Sequence, residues 1–307
     1  MEVGFGVPQV GRAVTADTIR IVAQRCEDLG YRTLWSLERI IRPLDPQTRY
    51  NAARRPDGTF HEQYGQVFDP FETLTWAAAF TSRIRLGTSV VVLPFHSPVD
   101  VARRAATLDH LSGGRLDLGV GSGWSKDEYD AAGTPFERKA GRMNEYFQVL
   151  HKLWGPDPVE HHGEFYAVPL SDVNPKPLQD PLPVYYATNG ALGFRMLAKY
   201  CQGWNPQRMT PRQMQEHREL LGSMIADAGR DPSALRIAYR VTLPIIVDPP
   251  PGERMPFRGP IEEFPDDLAA LAEAGVDEVH FDVGFLDEVT SADAYIRWAE
   301  RLRGCWP

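Results

Sequence analysis

Short runs of apolar residues alternate along the chain with longer segments in which apolar residues recur every three or four positions. Residues 3–7 are a run of β-formers, and residues 15–29 carry Ile19, Val22 and Cys26 at helical spacing before Gly30. A short apolar run predicts a buried strand, and a 3.6-residue period closed by glycine predicts a helix. Further strands are predicted at residues 33–37, 85–94, 115–124, 182–187, 203–205, 235–247 and 278–283. Further helices are predicted to begin near Asp69, Ser97, Glu137, Ala191, Thr210, Asp266 and Ser291.

The strict alternation of strands and helices predicts an α/β fold, a (β/α)₈ TIM barrel that forms one domain over residues 1–307. Parallel strands joined by right-handed helical crossovers close into such a barrel, which commonly needs about 250 residues. Two polar excursions, at residues 40–67 and 155–181, are too long for plain connections and are interpreted as insertions. The second is expected to hold either a short hairpin or an irregular cover around residues 164–168.

The composition is that of an ordinary globular protein. Hydrophobic residues make up 43% and charged residues 24%, and no apolar run approaches the roughly 20 residues that span a bilayer. The chain starts without a basic region leading an apolar signal core, so we expect a cytoplasmic protein with no membrane partner. Three widely spaced cysteines fit neither a disulfide framework nor a zinc site. The net charge of −8 argues against a nucleic-acid partner, which needs a concentrated basic surface.

The ends of the predicted strands carry the candidate binding residues, because ligands of α/β folds bind beyond the carboxyl ends of the strands. The run Gly119-Val-Gly-Ser-Gly123 lacks the spacing and the later acidic residue of a dinucleotide fingerprint, which argues against a Rossmann domain. Its glycines either form a tight turn or let the backbone approach a flat ring or a phosphate. The turn Ala187-Thr-Asn-Gly190 is either a simple connection or a phosphate site at a helix N-terminus.

Charged and aromatic residues near the same edge are candidates for chemistry. Glu38 and Arg39 end the second strand, where they either face the barrel mouth or form a structural salt bridge. Trp124 either walls a flat ring or caps the core, and Asp127-Glu128 follow it. The histidines His96, His161 and His162 lack a third ligand at metal spacing, so no metal site is predicted.

Six segments of the chain together carry a resemblance to one known family. They are Gly30-Tyr-Arg-Thr-Leu-Trp35, Arg83-Ile-Arg-Leu-Gly-Thr-Ser89, Ala106-Thr-Leu-Asp-His-Leu-Ser-Gly-Gly-Arg-Leu116, Gly119-Val-Gly-Ser-Gly-Trp124, Asn174-Pro-Lys-Pro177 and Gly203-Trp-Asn-Pro206. These segments resemble the luciferase-like monooxygenase superfamily, and most of all its coenzyme-F420-dependent branch. They run in the family's order and are more specific for the superfamily than for the cofactor. The resemblance implies a TIM barrel with inserted segments that binds a flavin or deazaflavin at the carboxyl ends of its strands.

The resemblance also implies a set of cofactor-binding residues. The third strand would carry a bulge, often with a non-proline cis peptide, that backs the deazaflavin ring. A glycine loop would run along the cofactor, and a later turn would bind its phosphate. The residues at these positions are Ser89 and Val90 in the bulge, Gly121, Ser122, Gly123 and Asp127 in and after the loop, and Ala187, Thr188, Asn189 and Gly190 in the turn.

Glu38, Arg39 and Trp124 are the catalytic residues that the resemblance implies, with two departures from the family's pattern. The F420-dependent branch often carries Asp-His or Glu-His where this chain has Glu38-Arg39. An arginine keeps its proton in this pH range, so it would act by charge or hydrogen bonding. Trp124 stands where sugar-phosphate-oxidising members carry a glutamate acid, so that substrate class is not expected.

The expected cofactor is F420, with FMN as the alternative. Five arginines between residues 39 and 55 suit the carboxylate-bearing tail of F420, namely Arg39, Arg42, Arg49, Arg54 and Arg55. The expected reaction is hydride transfer between the deazaflavin and a small organic substrate. The alternatives are a monooxygenase that uses reduced FMN and oxygen, and a non-catalytic flavin-binding protein. The expected partners are a reductase that supplies reduced cofactor and a second copy of the chain in a homodimer.

Overall fold

The computed structural model describes residues 1–48, 60–245 and 250–306. Most of its strands belong to one central sheet, and two form a separate hairpin. The strands are β1 (Glu2–Gly6), β2 (Thr33–Ser36), β3 (Arg85–Thr88), β4 (Val91–Val92), β5 (Leu116–Gly121), β6 (Val159–His162), β7 (Ala167–Ser171), β8 (Val184–Tyr186), β9 (Gly203–Trp204), β10 (Arg236–Thr242) and β11 (Glu278–Asp282).

Helices connect successive strands of the central sheet and pack around it. Several begin at capping residues that are visible in the sequence: the side chains of Thr15, Asp69 and Thr210 each accept a hydrogen bond from a backbone N–H of the first helical turn. The helices are α1 (Ala16–Asp28), α2 (Pro70–Ala78), α3 (Pro98–Ser112), α4 (Lys126–Ala131), α5 (Lys139–Trp154), α6 (Ala191–Tyr200), α7 (Pro211–Asp227), α8 (Phe264–Glu273) and α9 (Ala292–Arg303).

Eight parallel strands close the central sheet into a ring. The strand order around the ring is β1, β2, β3, β5, β8, β9, β10 and β11, and β11 pairs again with β1. The short strand β4 continues the line of β3 and pairs with β5 through Val91 and Val120. The predicted (β/α)₈ TIM barrel is therefore confirmed.

Two strands differ most from their predicted extents. The predicted third strand is interrupted after Thr88 by a cis peptide bond between Ser89 and Val90, and only Val91 and Val92 resume it. The predicted seventh strand ends at Thr242 instead of Val247, which lies outside the described residues. Pro244 lies two residues beyond that end, and a proline has no N–H to donate to a strand ladder.

The two long excursions take different forms. Residues 155–181 contain the antiparallel hairpin of β6 and β7, as predicted. In residues 40–67, the described part of the chain resumes at Phe60, which joins Tyr64 in an apolar cluster with Val10, Leu37 and Phe285. The part of the first excursion that begins at Phe60 therefore packs against the end of β2. Among the described helices, none combines the length and apolar character needed to cross a bilayer.

Candidate active site

A cavity of about 440 Å³ opens at the carboxyl ends of the barrel strands. That volume is within the roughly 300–1,000 Å³ typical of small-molecule sites. The structure brings together in its lining most of the site residues predicted from the sequence. These are Glu38, Arg39, Ser89, Val90, Gly121, Ser122, Gly123, Trp124 and Ala187.

The bulge at Ser89 and Val90 forms one side of the cavity. The expected cis peptide is present there, and Arg240 donates a hydrogen bond to the carbonyl oxygen of Ser89. The Ser89 hydroxyl donates to Asn205 Oδ1 at 2.7 Å, and Asn205 Nδ2 lies 3.2 Å from His280 Nε2. Burial, with the charge of Arg240, lowers the pKa of His280 well below its ordinary value, so this histidine is neutral. The bulge is thus held from beneath by a buried polar network.

The glycine loop at the end of β5 packs directly against this bulge. A Cβ atom on Gly121 would lie 2.7 Å from Val90 Cγ2, and one on Gly123 would lie 2.7 Å from Val92 Cγ1. Gly123 also has a φ of +69°, a conformation that favours glycine. The loop and the bulge therefore form a continuous wall made largely of backbone, with no room for side chains between them.

Glu38 is buried at the edge of the cavity and bonded through both carboxylate oxygens. The backbone N–H of Val92 donates to Oε2 at 2.6 Å, and His96 Nε2 lies 2.6 Å from Oε1. Burial alone would lower the pKa of His96, but the hydrogen bond and charge of Glu38 outweigh burial and raise that pKa above its ordinary value. The alternative of a salt bridge between Glu38 and Arg39 is wrong, because the two side chains have different partners.

Arg39 is enclosed by aromatic rings and paired with Glu128. Its guanidinium carbon lies 5.1 Å from the ring centroid of Phe60, 4.7 Å from that of Tyr64 and 5.1 Å from that of Trp124. Its Nη1 donates to Glu128 Oε2, while the backbone N–H of Ile40 donates to Glu128 Oε1 at 3.1 Å. Burial raises the pKa of Glu128 above its ordinary value, because Arg39 and Ile40 offset only part of the desolvation.

Trp124 stacks on Phe60 with ring centroids 5.5 Å apart, and its side chain is 39% exposed. The indole therefore forms part of the cavity wall and does not cap the core. The Arg39 guanidinium lies between the stacked rings of Phe60 and Trp124 and the ring of Tyr64, so it does not face open solvent.

Four predicted cofactor-binding residues lie outside the cavity lining. The carboxylate of Asp127 accepts the backbone N–H groups of Gln47 at 3.0 Å and Thr48 at 3.2 Å, so it ties the first excursion to α4. The turn continues from Ala187 through Thr188 and Asn189 to Gly190, the N-cap of α6. Their contact with a cofactor stays a prediction.

Sequence reasoning missed a polar part of the cavity lining. Arg240 and Thr242 both line the cavity and are two positions apart at the end of β10. Because side chains two positions apart in a strand lie on the same face, this spacing was the sequence signal that could have identified them. The Thr242 hydroxyl is buried and makes no hydrogen bond within the described residues. The other missed residues are Leu37, Tyr64, Val92, Glu128, Gln207 and Arg208.

Comparison with known proteins gives the family. The profile described as luciferase-like monooxygenase matches residues 3–255. An uncharacterised protein of Mycobacterium tuberculosis is 35% identical over 286 residues, covering 91% of this chain and 90% of the relative.

Two solved structures share the fold over nearly the whole chain. The coenzyme F420 dependent tetrahydromethanopterin reductase from Methanopyrus kandleri superposes with a TM-score of 0.72 at 19% identity, covering 98% of this chain and 99% of that one. The monooxygenase RslO1 from Streptomyces bottropensis superposes with a TM-score of 0.74 at 20% identity, covering 98% of both chains. Together with the profile match over most of its length, these findings show that the chain belongs to the luciferase-like monooxygenase family.

Proposed function

We propose that this protein is an F420-dependent oxidoreductase that transfers a hydride between the deazaflavin and a small organic substrate. The observation that carries the proposal is the cavity in which the bulge at Ser89 and Val90 packs against the glycine loop Gly121–Gly123. In the family's F420-dependent branch, which the sequence resembles, a bulge of this kind backs the deazaflavin ring.

The residues of the cavity fit a flat ring system. The wall formed by the bulge and the glycine loop presents backbone and the Val90 side chain, and a ring can lie against such a surface without displacing a polar group. Ala187 lines the same cavity and leads into the N-terminus of α6, where exposed N–H groups suit a phosphate. The buried Thr242 hydroxyl offers an additional hydrogen bond within the cavity.

Each part of the cavity has a role in this proposal. When bound, F420 supplies or accepts the hydride. The chain's own residues orient the ring on the bulge and exclude water through the aromatic side chains of Tyr64 and Trp124. Arg39 keeps its proton and contributes positive charge, so a proton that accompanies the hydride must come from another group.

A neighbouring groove supports F420 over FMN. It has a volume of about 620 Å³ and is lined by two arginines, Arg12 and Arg42, and by two carboxylates, Glu62 and Asp287. The nearby Tyr64 lines the cavity itself. Guanidinium groups are good partners for the carboxylates of the F420 tail. Two basic side chains therefore lie where a tail leaving the cavity could reach them.

The set of arginines expected to meet this tail is smaller than the sequence suggested. Arg39 is paired with Glu128 at the cavity, so its guanidinium group is engaged there. Arg42 remains a tail candidate, and Arg49, Arg54 and Arg55 lie outside the described residues.

Fluorescence titration of the protein with F420 and with FMN, at matched salt, tests the cofactor. We expect F420 to bind with a micromolar or tighter Kd and FMN to bind more weakly. Arg42→Ala should weaken F420 binding by roughly three- to fivefold, because a charge pair near the protein surface contributes up to about 1 kcal/mol. It should leave FMN binding unchanged. Arg83→Ala is the matched control, because Arg83 is exposed and lines a groove at the opposite end of the barrel.

An FMN-dependent monooxygenase is the second candidate function. The family's description and the shared fold of the Streptomyces bottropensis monooxygenase favour it. Preference for FMN, with oxygen consumption that requires reduced FMN from a partner reductase, would replace the hydride-transfer proposal. Tight cofactor binding with no turnover across a panel of electron-poor acceptors would point to a non-catalytic binding protein.

A further inference from the structure

We propose that Glu38 exchanges a proton with the substrate and that His96 connects Glu38 to solvent. This inference rests on the proposed hydride transfer, which needs a proton donor or acceptor at the cavity. It assigns Glu38 as a catalytic residue and His96 as a positioning and relay residue that acts through Glu38.

Glu38 is one of two carboxylates among the described residues that line the cavity, and Glu128 is the other. The two differ in their partners. Glu128 is held by Arg39 and by the backbone N–H of Ile40, and neither donor releases a proton at neutral pH. Glu38 is held by the backbone N–H of Val92 and by His96, and a histidine titrates in this range. Glu38 is therefore the carboxylate with a partner that can renew its proton.

The contact between Glu38 and His96 runs from the cavity toward the outside of the barrel. The Glu38 side chain is 4% exposed and lines the cavity, whereas the His96 side chain is 17% exposed and stands outside that lining. His96 follows the turn after β4 and directly precedes Ser97, the N-cap of α3. A proton can thus pass from solvent to the cavity through two side chains in hydrogen-bond contact.

The charged groups that face His96 come from three elements. Glu38 lies at the end of β2, Asp69 caps α2, and Arg104 lies on α3. Arg104 bonds to Asp69 at 2.7 Å, and Asp69 is 41% exposed, so these two form a partly neutralised surface pair beside the imidazole. Glu38 is the dominant charge on His96, since its hydrogen bond and charge outweigh burial and raise the pKa of His96.

The proton step balances in both directions of the reaction. In substrate reduction, the electron-poor carbon of a C=O or C=C bond gains the hydride with its two electrons. The other atom of that bond gains a proton from Glu38, to which the Nε2 proton of the charged His96 has first moved. His96, now neutral, takes a proton from solvent and restores the ion pair with the Glu38 carboxylate. In substrate oxidation, the hydroxyl proton leaves along the same path in reverse.

The first test measures the pair without turnover. Nuclear magnetic resonance of ¹³C-labelled histidine side chains gives the pKa of His96 in the wild type and in Glu38→Gln. We expect the pKa of His96 to fall in Glu38→Gln, because its anionic partner is removed. His162 is the internal reference, because its Nε2 lies 2.9 Å from Glu160 on the exposed hairpin, and its pKa should not move. An unchanged pKa of His96 would overturn the pairing.

The second test measures the relay under turnover with reduced F420 and an electron-poor acceptor. His96→Gln should lower kcat by about a hundredfold, the lower end of general acid-base contributions, and should remove the fall of kcat with rising pH. Its Kd for F420 should stay within twofold of the wild type. The control His162→Gln should keep the wild-type profile. A His96→Gln variant with reduced kcat but an unchanged pH profile would show a merely structural role and overturn the relay.

The two proposals fail separately. A wild type that does not bind or use F420 defeats the hydride-transfer function, while the resonance experiment still reports whether Glu38 and His96 form a proton-sharing pair. A wild type that turns over, with a pH profile insensitive to His96, defeats the relay alone.

Discussion

Gly121 is fixed by the side chain that faces it across the cavity wall. A Cβ at this position would lie 2.7 Å from Val90 Cγ2, so an alanine would push Val90 away from the glycine loop. Because Val90 lines the cavity, the displaced side chain would occupy the surface that we assign to the ring.

Gly121→Ala should therefore weaken cofactor binding by about tenfold, equivalent to about 1.4 kcal/mol, measured by fluorescence titration. Gly222→Ala is the matched control. Gly222 lies within α7, and the nearest atom to its added Cβ is 3.9 Å away, so this change should stabilise the protein by about 0.5–1 kcal/mol without altering binding. Wild-type affinity in Gly121→Ala would separate the glycine loop from the cofactor site.

Arg39 and Glu128 form the ion pair whose loss is easiest to isolate. Arg39→Met keeps an apolar chain among the aromatic rings but leaves the Glu128 carboxylate buried without its charge partner. Breaking such a pair costs about 3–5 kcal/mol, so we expect a decrease of that size in the free energy of unfolding at pH 7, measured with urea. The double variant Arg39→Met/Glu128→Gln should recover part of it. An equal decrease in the free energy of unfolding in the single and double variants would show that burial of an unpaired Glu128 carboxylate is not what destabilises Arg39→Met.

At this scale, the sequence predicted which backbone segments meet but not which side chains pair. Glu38 and Arg39 are neighbours in sequence, so a mutual salt bridge was a reasonable alternative. Their actual partners are far away along the chain: His96 is 58 positions from Glu38, and Glu128 is 89 positions from Arg39. The packing that selects these partners cannot be read from local pattern.

The hairpin of β6 and β7 is tied to the barrel by one carboxylate on a helix. Glu145 of α5 accepts the backbone N–H groups of Glu164, Phe165 and Tyr166, and its Oε1 lies 3.3 Å from His161 Nε2. Burial alone would raise the pKa of Glu145, but these hydrogen bonds outweigh burial and lower it. The ionised carboxylate is thus the form that holds the hairpin.

Stability should depend on pH through this residue. Because the folded pKa of Glu145 lies below its ordinary value of 4.5, its contribution is present above that pH and is lost as the pH falls through the folded pKa. Glu145→Gln should lower the free energy of unfolding by about 1–3 kcal/mol at pH 7, measured by urea unfolding. The difference from the wild type should shrink as the pH falls below 4.5 and through the folded pKa of Glu145. A difference that stays constant with pH would mean that the charge of Glu145 does not hold the hairpin.

Element types followed from periodicity, whereas element ends depended on single residues. Apolar runs gave every barrel strand, because burial on both sheet faces demands continuous apolar strands. Helical spacing gave the helices between them except α4 (Lys126–Ala131), which is too short to show a helical period. The end of β10 depended on Pro244, which the apolar pattern of residues 235–247 concealed. The break at Ser89 was expected only because the family carries a bulge there, since the residues of that run all suit a strand.

The barrel as a whole separates its two ends. The predicted alternation gave the closed ring, but not the ion network at the end opposite the cavity. There Arg32 Nη1 bonds to Glu278 at 2.7 Å and to Asp117 at 3.3 Å, and Arg85 bonds to Asp117 at 2.7 Å. These residues are brought together only by closure of the ring, so no local sequence pattern predicted their ion pairs. The ion pairs at this end stabilise the barrel, and the opposite end holds the candidate active site. TIM barrels generally divide stability and chemistry between their two ends in this way.

Glu278 gives the test of this separation, since it is 1% exposed and also accepts the Trp35 indole N–H at 2.8 Å. Glu278→Ala removes the partner of the Arg32 guanidinium and of the Trp35 indole. It should lower the free energy of unfolding by about 3–5 kcal/mol, measured with urea. The strand β11 carries Glu278 at one end and Asp282 at the other, about 13 Å away, so cofactor Kd should stay within twofold. Glu160→Ala, which removes an exposed pair, should change the free energy of unfolding by less than about 1 kcal/mol. Loss of cofactor affinity in Glu278→Ala, at temperatures where the variant is folded, would show that the two ends of the barrel are coupled. Trp35 would then be the connection, because its ring stacks on His280 with centroids 4.6 Å apart.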